Sequence, residues 1–230
     1  MTKVLIDGDI LTYRAAFSCE GQPLGDACDK IDVMVEDIMA ATSFDLFSEN
    51  YEMFITGKGN FRYDIQETYK QNRSGKPKPE HLPGLRDYLV EAYNAKVSVD
   101  QEADDDIATR ATALGPNAII ASIDKDFLQV PCWHYNLNRD TLVSVDLFEG
   151  LQFFYTQILM GDKADNIFGI KGVGPVKAGK LLAHATSEQD LFGICLDAYD
   201  YNEEKVIENA RLLWLRREEG QVWQPPSVRS

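Results

Sequence analysis

The amino-acid sequence predicts an α/β fold, a parallel sheet flanked by helices and followed by a smaller helical region. Three observations carry that prediction. Short apolar runs alternate with helical periodicities over residues 3–150, the pattern of repeated βα units. The run Ala118-Ile119-Ile120-Ala121-Ser122-Ile123 is apolar at nearly every position, as a strand covered on both faces requires. Beyond about residue 150 the strand signal fades, and helical patterns continue to about Arg217.

Residues 3–7 read as a short buried strand ending in Asp7-Gly8-Asp9, with a helix starting nearby. Residues 31–41 carry apolar positions at helical spacing, and 52–56 read as a second strand before the loop Gly57-Lys58-Gly59-Asn60. Lys76-Pro77-Lys78-Pro79 breaks regular structure, because proline fixes φ and lacks the amide donor. Residues 82–92 are helical by pattern and 96–99 strand-like. Residues 103–114 read as a helix with acids in its first turn, where they complement the helix dipole, and Gly115-Pro116 closes it. The central strand 118–123 ends at Asp124, 151–160 is helical, and a glycine-dense passage over 161–179 leads into the last helices. In those helices Val206, Leu212, Leu213, Trp214, Leu215 and Cys195 suit packing on a core. The polar stretch after Gly220 reads as an extended tail.

A chain of 230 residues with 44% hydrophobic and 10% aromatic residues can bury a substantial core. No apolar run approaches the roughly 18 residues of a membrane span, so no membrane partner is expected. Neither is a secretory leader, since Val4-Leu5-Ile6-Asp7 follows the first residues directly. The four cysteines (Cys19, Cys28, Cys132, Cys195) form no CxxC pair, which fits reduced thiols and a cytoplasmic location and excludes a cysteine-rich zinc module. The net charge of −14 argues by itself against a nucleic-acid partner. Its distribution argues otherwise. Residues 58–78 carry six cations (Lys58, Arg62, Lys70, Arg73, Lys76, Lys78) against two acids, Asp64 and Glu67.

The acids are grouped as tightly. Asp7, the group Glu102/Asp104/Asp105 and the pair Asp124/Asp126 fall at or just beyond the carboxyl ends of expected strands, the edge where open parallel sheets bind ligands. Glu102 and Asp105 share a helix face, and Asp124 and Asp126 alternate across Lys125 to one side of an extended chain. At 4 Å and an effective dielectric near 20, each ionised pair costs about 4 kcal/mol. Such a group needs protonation or cations, and Mg²⁺ or Mn²⁺ suits oxygen ligands. Two such ions roughly 3.5–4 Å apart suit phosphodiester hydrolysis. The blander alternative is that these acids cap helices or face solvent. His81, His134 and His184 are scattered and fit surface or packing roles.

Asp162 and Asp165 lie three apart, so a helical turn would aim both the same way. Gly172-Val173-Gly174 then precedes a lysine-bearing helix, letting backbone amides approach a phosphate, with Lys177 and Lys180 nearly on one face for further contacts. Gly174 to Lys180 mimics a nucleotide-binding G-x-x-x-x-G-K, but Leu181 stands where Ser or Thr would hold Mg²⁺. The basic stretch interleaves aromatics with cations in Phe61-Arg62-Tyr63 and Tyr69-Lys70-Gln71-Asn72-Arg73, which suits phosphate contacts and stacking on unpaired bases.

Taken in order, Ile6-Asp7-Gly8-Asp9, Phe61-Arg62, Tyr69-Lys70-Gln71-Asn72-Arg73, Glu102-Ala103-Asp104-Asp105, Ser122-Ile123-Asp124-Lys125-Asp126 and Gly161-Asp162-x-x-Asp165-Asn166 before Gly172-Val173-Gly174 resemble the 5′ nuclease superfamily. That family comprises flap endonucleases, the 5′ nuclease domain of bacterial DNA polymerase I and bacteriophage 5′→3′ exonucleases. The resemblance implies a PIN-like catalytic domain over 1–160 with a mobile basic arch at about 57–83. It implies a helix-3-turn-helix DNA-binding module with C-terminal helices over 161–220, and a tail over 221–230. It implies a monomeric, metal-dependent 5′→3′ exonuclease or structure-specific flap endonuclease, of phage origin, acting on DNA with a 5′ end, flap or junction in replication, recombination or degradation. The implied ligands of two Mg²⁺ or Mn²⁺ ions are Asp7, Glu102, Asp104, Asp105, Asp124, Asp126, Asp162 and Asp165. Lys70 and Arg73 match the arch cations at the scissile phosphate, and Asp7 joins them as a catalytic residue. Arg62, Tyr69, Lys70, Arg73, Gly172, Val173, Gly174, Lys177 and Lys180 are the implied DNA contacts, the hairpin acting in some relatives through K⁺.

One position departs from the family pattern. Relatives usually carry an aspartate at the end of the second strand, and Gly57 stands there. That loss motivates an alternative, a structure-specific DNA-binding protein with weakened catalysis. A PIN-type ribonuclease is a further alternative, against which the hairpin module argues.

Overall fold

In a computed structural model, residues 2–42 and 50–227 are described, so the last three residues of the expected tail lie outside it. Six strands, β1 (Lys3–Asp7), β2 (Tyr51–Thr56), β3 (Lys96–Ser98), β4 (Ala118–Ala121), β5 (Trp133–Asn136) and β6 (Thr141–Ser144), form one sheet in the order β3-β2-β1-β4-β5-β6. Strands β1 to β5 pair in parallel, whereas β6 runs antiparallel to β5. The expected parallel sheet is therefore mixed at one edge. The four residues 137–140 between β5 and β6 are too few for a parallel crossover and close a hairpin instead. Neither strand stands out in the sequence, and β6 is exposed throughout, with no apolar alternation to mark it.

Strand periodicity sends Val4 and Ile6 to one face of the sheet and Leu5 to the other, all three fully buried. Helices α1 (Gly8–Ser18), α2 (Leu24–Ala41), the one-turn α3 (Arg62–Ile65) and α4 (Leu82–Tyr93) follow β1 and β2 in sequence. Ile31, Val35 and Ile38 of α2 and Leu85 and Leu89 of α4 pack with Val4 and Ile6. Ile107, Ala108 and Ala111 of α5 (Ala103–Leu114) pack with Leu5, Phe54 and Ile120 on the opposite face. Helix α2 begins at Leu24, earlier than residue 31, and its buried face starts at Ala27, a residue too small to mark the stripe in sequence.

The remaining elements are α6 (Leu147–Met160), the short β7 (Gly161–Asp162) and β8 (Ile167–Phe168), and helices α7 (Pro175–Leu182), α8 (Glu188–Ala198) and α9 (Glu203–Leu213). Asp146 and Glu149 cap α6 reciprocally, at 2.8 and 2.9 Å, which starts the helix four residues before its apolar stripe suggests. Phe154, Ile158 and Leu159 of α6 share a core with Leu182, Leu191, Phe192, Val206, Leu213 and Trp223. The helical core thus includes α6, upstream of the boundary expected at 161. Asp162 and Asp165 sit on a β7–turn–β8 hairpin and not on a helical turn. The backbone turns left-handed at Gly161 (φ 69°), where a Cβ would lie 2.3 Å from the Gly169 nitrogen, so only glycine fits.

One buried ion pair ties these layers together. The Arg62 guanidinium, 1% exposed, meets the fully buried Asp105 carboxylate through two hydrogen bonds of 2.6 and 3.0 Å. It also donates to the carbonyls of Leu212 and Trp214, at 2.8 and 2.9 Å. This joins α3, α5 and the end of α9. Removing one partner leaves the other charge buried and uncompensated, so Arg62→Leu is expected to destabilise the protein by about 3–5 kcal/mol, read from the urea midpoint. The double replacement Arg62→Met with Asp105→Leu recovers part of that loss.

Candidate active site at the carboxyl edge of the sheet

Adjacent parallel strands β1 and β4 bring Asp7 and Ser122 side by side at their carboxyl ends. Asp7 caps α1, accepting from the Ile10 amide at 3.2 Å, and accepts from the Ser122 hydroxyl at 2.7 Å. The same hydroxyl accepts from the Asp124 amide at 3.0 Å, and Asp124 accepts from the Asp126 amide at 2.8 Å. Gln157 of α6 donates to Asp126 at 2.7 Å. A single chain of hydrogen bonds therefore fixes acids from β1, from the turn after β4 and beneath α6. Across the sheet, the Thr56 hydroxyl accepts from the Ala103 amide at 2.9 Å and holds the N-terminus of α5, which presents Glu102 and Asp104.

These acids, with Asp9, Asp162 and Asp165, line one cleft of about 1060 Å³ together with Lys58, Lys70, Arg73, Lys78, Arg86 and Lys125. Burial raises the Asp7 carboxyl to about 7, aided by the charges of Asp9 and Asp124 and opposed by the Ser122 hydrogen bond. Burial with the charges of Asp124 and Asp162 raises Asp126 to about 7. Asp104, half-buried at the cleft and facing Asp7, Glu102 and Asp124, is raised well above the carboxylate range by loss of hydration and by those charges. Glu102 goes the other way: burial opposes its ionisation, but Lys70 and Arg62 beside it hold its pKa low. Lys70 donates to Glu102 and lies 3.6 Å from Asp165, while Arg73 pairs with Asp165.

The donor set suits a hard divalent cation. It is all oxygen, and at least three carboxyls are held against charge by burial and mutual repulsion, which an ion would relieve. Among the described residues no three His, Cys, Asp or Glu side chains are already gathered tightly enough to ligate an ion. Asp7, Asp9, Glu102, Asp104, Asp124, Asp126, Asp162 and Asp165 supply the carboxylates that face the cleft.

One expected ligand lies outside the cleft, and two expected DNA contacts reach it only as parts of its buried wall. Asp105 is absent from the cleft, because Arg62 engages both of its oxygens in the interior. Arg62, expected at DNA, lines the cleft wall but is 1% exposed, held as the partner in that pair. Tyr69, expected to stack on bases, is 2% exposed, its hydroxyl 3.0 Å from Glu102 and 3.1 Å from Asp165. Val173 packs in the helical core, whereas Gly172 turns at φ 78° and Gly174 caps α7, with Lys177 and Lys180 exposed on that helix. The sequence reasoning missed Ser122, Thr56 and Gln157, whose roles depend on neighbours remote in the chain. It also missed Arg86, which donates to Asp9 at 2.7 Å and to the Thr56 carbonyl. Asp9 further accepts from the Thr56 amide at 2.9 Å. Gly57 itself is locked in place: its amide donates to the Ser98 carbonyl at 2.8 Å, and a Cβ would sit 2.2 Å from that oxygen.

A mostly parallel sheet with an acid-lined cleft at its carboxyl edge, followed by a glycine-rich turn and helices, defines an α/β fold with its binding edge at the strand ends. The sequence profile of the 5′-3′ exonuclease N-terminal, resolvase-like domain matches residues 2–146, and the chain belongs to that family. Flap endonuclease Xni of Shewanella piezotolerans is 36% identical over 155 residues, covering 59% of this chain and 60% of the relative. Flap endonuclease Xni of Shewanella woodyi is 33% identical over 170 residues, 66% of each chain. The match thus spans three fifths to two thirds of these curated relatives. Among solved structures, the bacteriophage T5 D15 flap endonuclease, described in complex with DNA and metal ions, superposes with a TM-score of 0.71 at 18% identity, over 93% of this chain and 89% of that one. A T5 5′-exonuclease with zinc bound gives 0.70 over the same shares.

Two expectations follow. Asp7 and Asp126 bind protons more tightly folded than unfolded, so the metal-free protein loses stability as pH rises from about 4 to about 7. Glu52 and Glu102, whose pKa values are lowered, act in the opposite sense only at more acid pH. Melting temperatures across pH 5–8 should fall without divalent ions, and millimolar Mg²⁺ should flatten the fall. Gly57→Asp should lower the melting temperature by about 4–8 °C or more through collision with β3, without tightening divalent-ion binding in calorimetry.

Proposed function

We propose that this chain is a metal-dependent nuclease that hydrolyses DNA phosphodiesters from a 5′ end or at a single-strand/duplex junction. The observation that carries this reading is the convergence of Asp7, Asp104, Asp124, Asp126, Asp162 and Asp165 on one cleft that also holds Lys70 and Arg73. Family membership and the names of the relatives support it. Two Mg²⁺ or Mn²⁺ ions bound by these carboxylates would supply the positive charge that stabilises attacking and leaving oxygens. The chain's own contribution is to hold the acids in place through Ser122 and Gln157 and to present Lys70 and Arg73 to the phosphate. Gly172, Gly174, Lys177 and Lys180 would take a duplex phosphate, with K⁺ as a further ligand of the hairpin. The role proposed is in DNA replication, recombination or degradation in a bacterial or phage-infected cell, with the protein acting as a monomer in the cytoplasm. No helix among the described residues is long and apolar enough to cross a membrane.

A second reading, a DNA-binding protein with weakened catalysis, is favoured by one observation: the side of the cleft at Gly57 has no room for a carboxylate, and Arg86 neutralises Asp9 beside it. Assay of 5′-labelled duplex and flap DNA with Mg²⁺ or Mn²⁺ separates the two. Cleavage is expected, with Asp124→Ala or Asp162→Ala reducing it about a hundredfold or more. Tight flap binding without turnover selects the second reading, and preference for RNA of the same shape selects a ribonuclease.

A further inference from the structure

The basic segment 66–73 and the acidic turn 162–166 are far apart in sequence, yet they are joined side by side by hydrogen bonds that belong to neither sheet. The Lys70 amide donates to the Asp165 carbonyl at 2.9 Å. Asn72 donates to the Lys163 carbonyl at 2.7 Å, and Arg73 donates through Nε to the Ala164 carbonyl at 3.1 Å. Asn166 closes the other end of the seam from both sides. Its side-chain amide donates to the Thr68 carbonyl at 2.8 Å, and its own carbonyl accepts from the Gln66 side chain at 3.0 Å. Lys70 and Asn166 are both left-handed, at φ 55° and 62°, so each segment bends sharply where it meets the other. Asparagine tolerates that conformation and also offers the donor, a combination that neither glycine nor aspartate supplies.

We propose that Asn166 is a positioning residue that, with Gln66, fuses the cation-bearing segment to the carboxylate-bearing turn and so fixes the spacing of Lys70 and Arg73 from Asp162 and Asp165. The base of the basic segment is then part of the rigid frame, because the seam runs through Arg73. This departs from an arch mobile over its whole length, and it rests on the nuclease reading for the catalytic consequence alone.

The test uses the full chain with Asn166→Asp, which keeps the side-chain size but sets an acceptor against the Thr68 carbonyl, and with Asn166→Gly and Gln66→Ala. Exchange of the Lys70 amide hydrogen should speed about tenfold or more in Asn166→Asp, while amides of β1 and α5 keep their rates. On 5′-end duplex DNA, kcat should fall about tenfold or more with KM changed less than about threefold. In a Lys70→Ala background the same substitution should cost less than about threefold further, because the two residues act as a unit. If Asn166→Asp does not fold, Asn166→Gly and Gln66→Ala should give the same pattern at smaller amplitude. Unchanged Lys70 exchange in all three variants, or a full additional loss in the Lys70→Ala background, overturns the inference. A wild-type protein without nuclease activity overturns the proposed function instead and leaves the exchange measurement to decide this one.

Discussion

Like charges crowded into a partly buried cleft repel one another, and nearly every feature of the carboxyl edge answers that repulsion. Asp7 shares a serine hydroxyl with the Asp124 amide, Asp126 takes a glutamine donor from α6, and Glu102 is flanked by Lys70 and Arg62. What remains uncompensated falls on Asp7, Asp104 and Asp126, whose protons are held more tightly than in water. Self-repulsion on this scale is tolerated in a folded protein where it is offset on binding a cation, and it lowers the stability of the empty frame.

Two ion pairs divide the labour around the cleft. The Arg62–Asp105 pair is dry and structural, fastening the sheet side to the end of α9. The Arg86–Asp9 pair is partly open to solvent and lies at the rim beside Gly57. The first removes Asp105 from the expected ligand set, and the second neutralises Asp9 at the rim, leaving the carboxylates of β1, α5, the turn after β4 and the β7–β8 hairpin facing a common space.

Much of this was legible in the sequence where local chemistry dictates structure. The apolar run of β4, the acids at the start of α5 and Pro175 at the head of α7 each declare their element. The acids at strand ends declared the edge on which a site would form. Other features escaped because their causes are tertiary. Nothing local marks Arg62 or Tyr69 as buried, since the groups that satisfy them come from α5, α9 and the β7–β8 turn. The β5–β6 hairpin escaped because its outer strand faces solvent, and the Asp162 turn because two left-handed residues, not helical spacing, set its shape.

The hydrogen bond from Arg62 to the Leu212 carbonyl spans 150 residues of chain. Closing so long a loop carries an entropic toll before any contact rewards it, which makes such topologies slow to fold. The guanidinium meanwhile has no buried counterpart for its remaining donors until the end of α9 arrives. During synthesis the sheet therefore emerges from the ribosome well before the residues that finish its interior, and the acid-lined edge reaches its final form only once the chain has been made through Trp214.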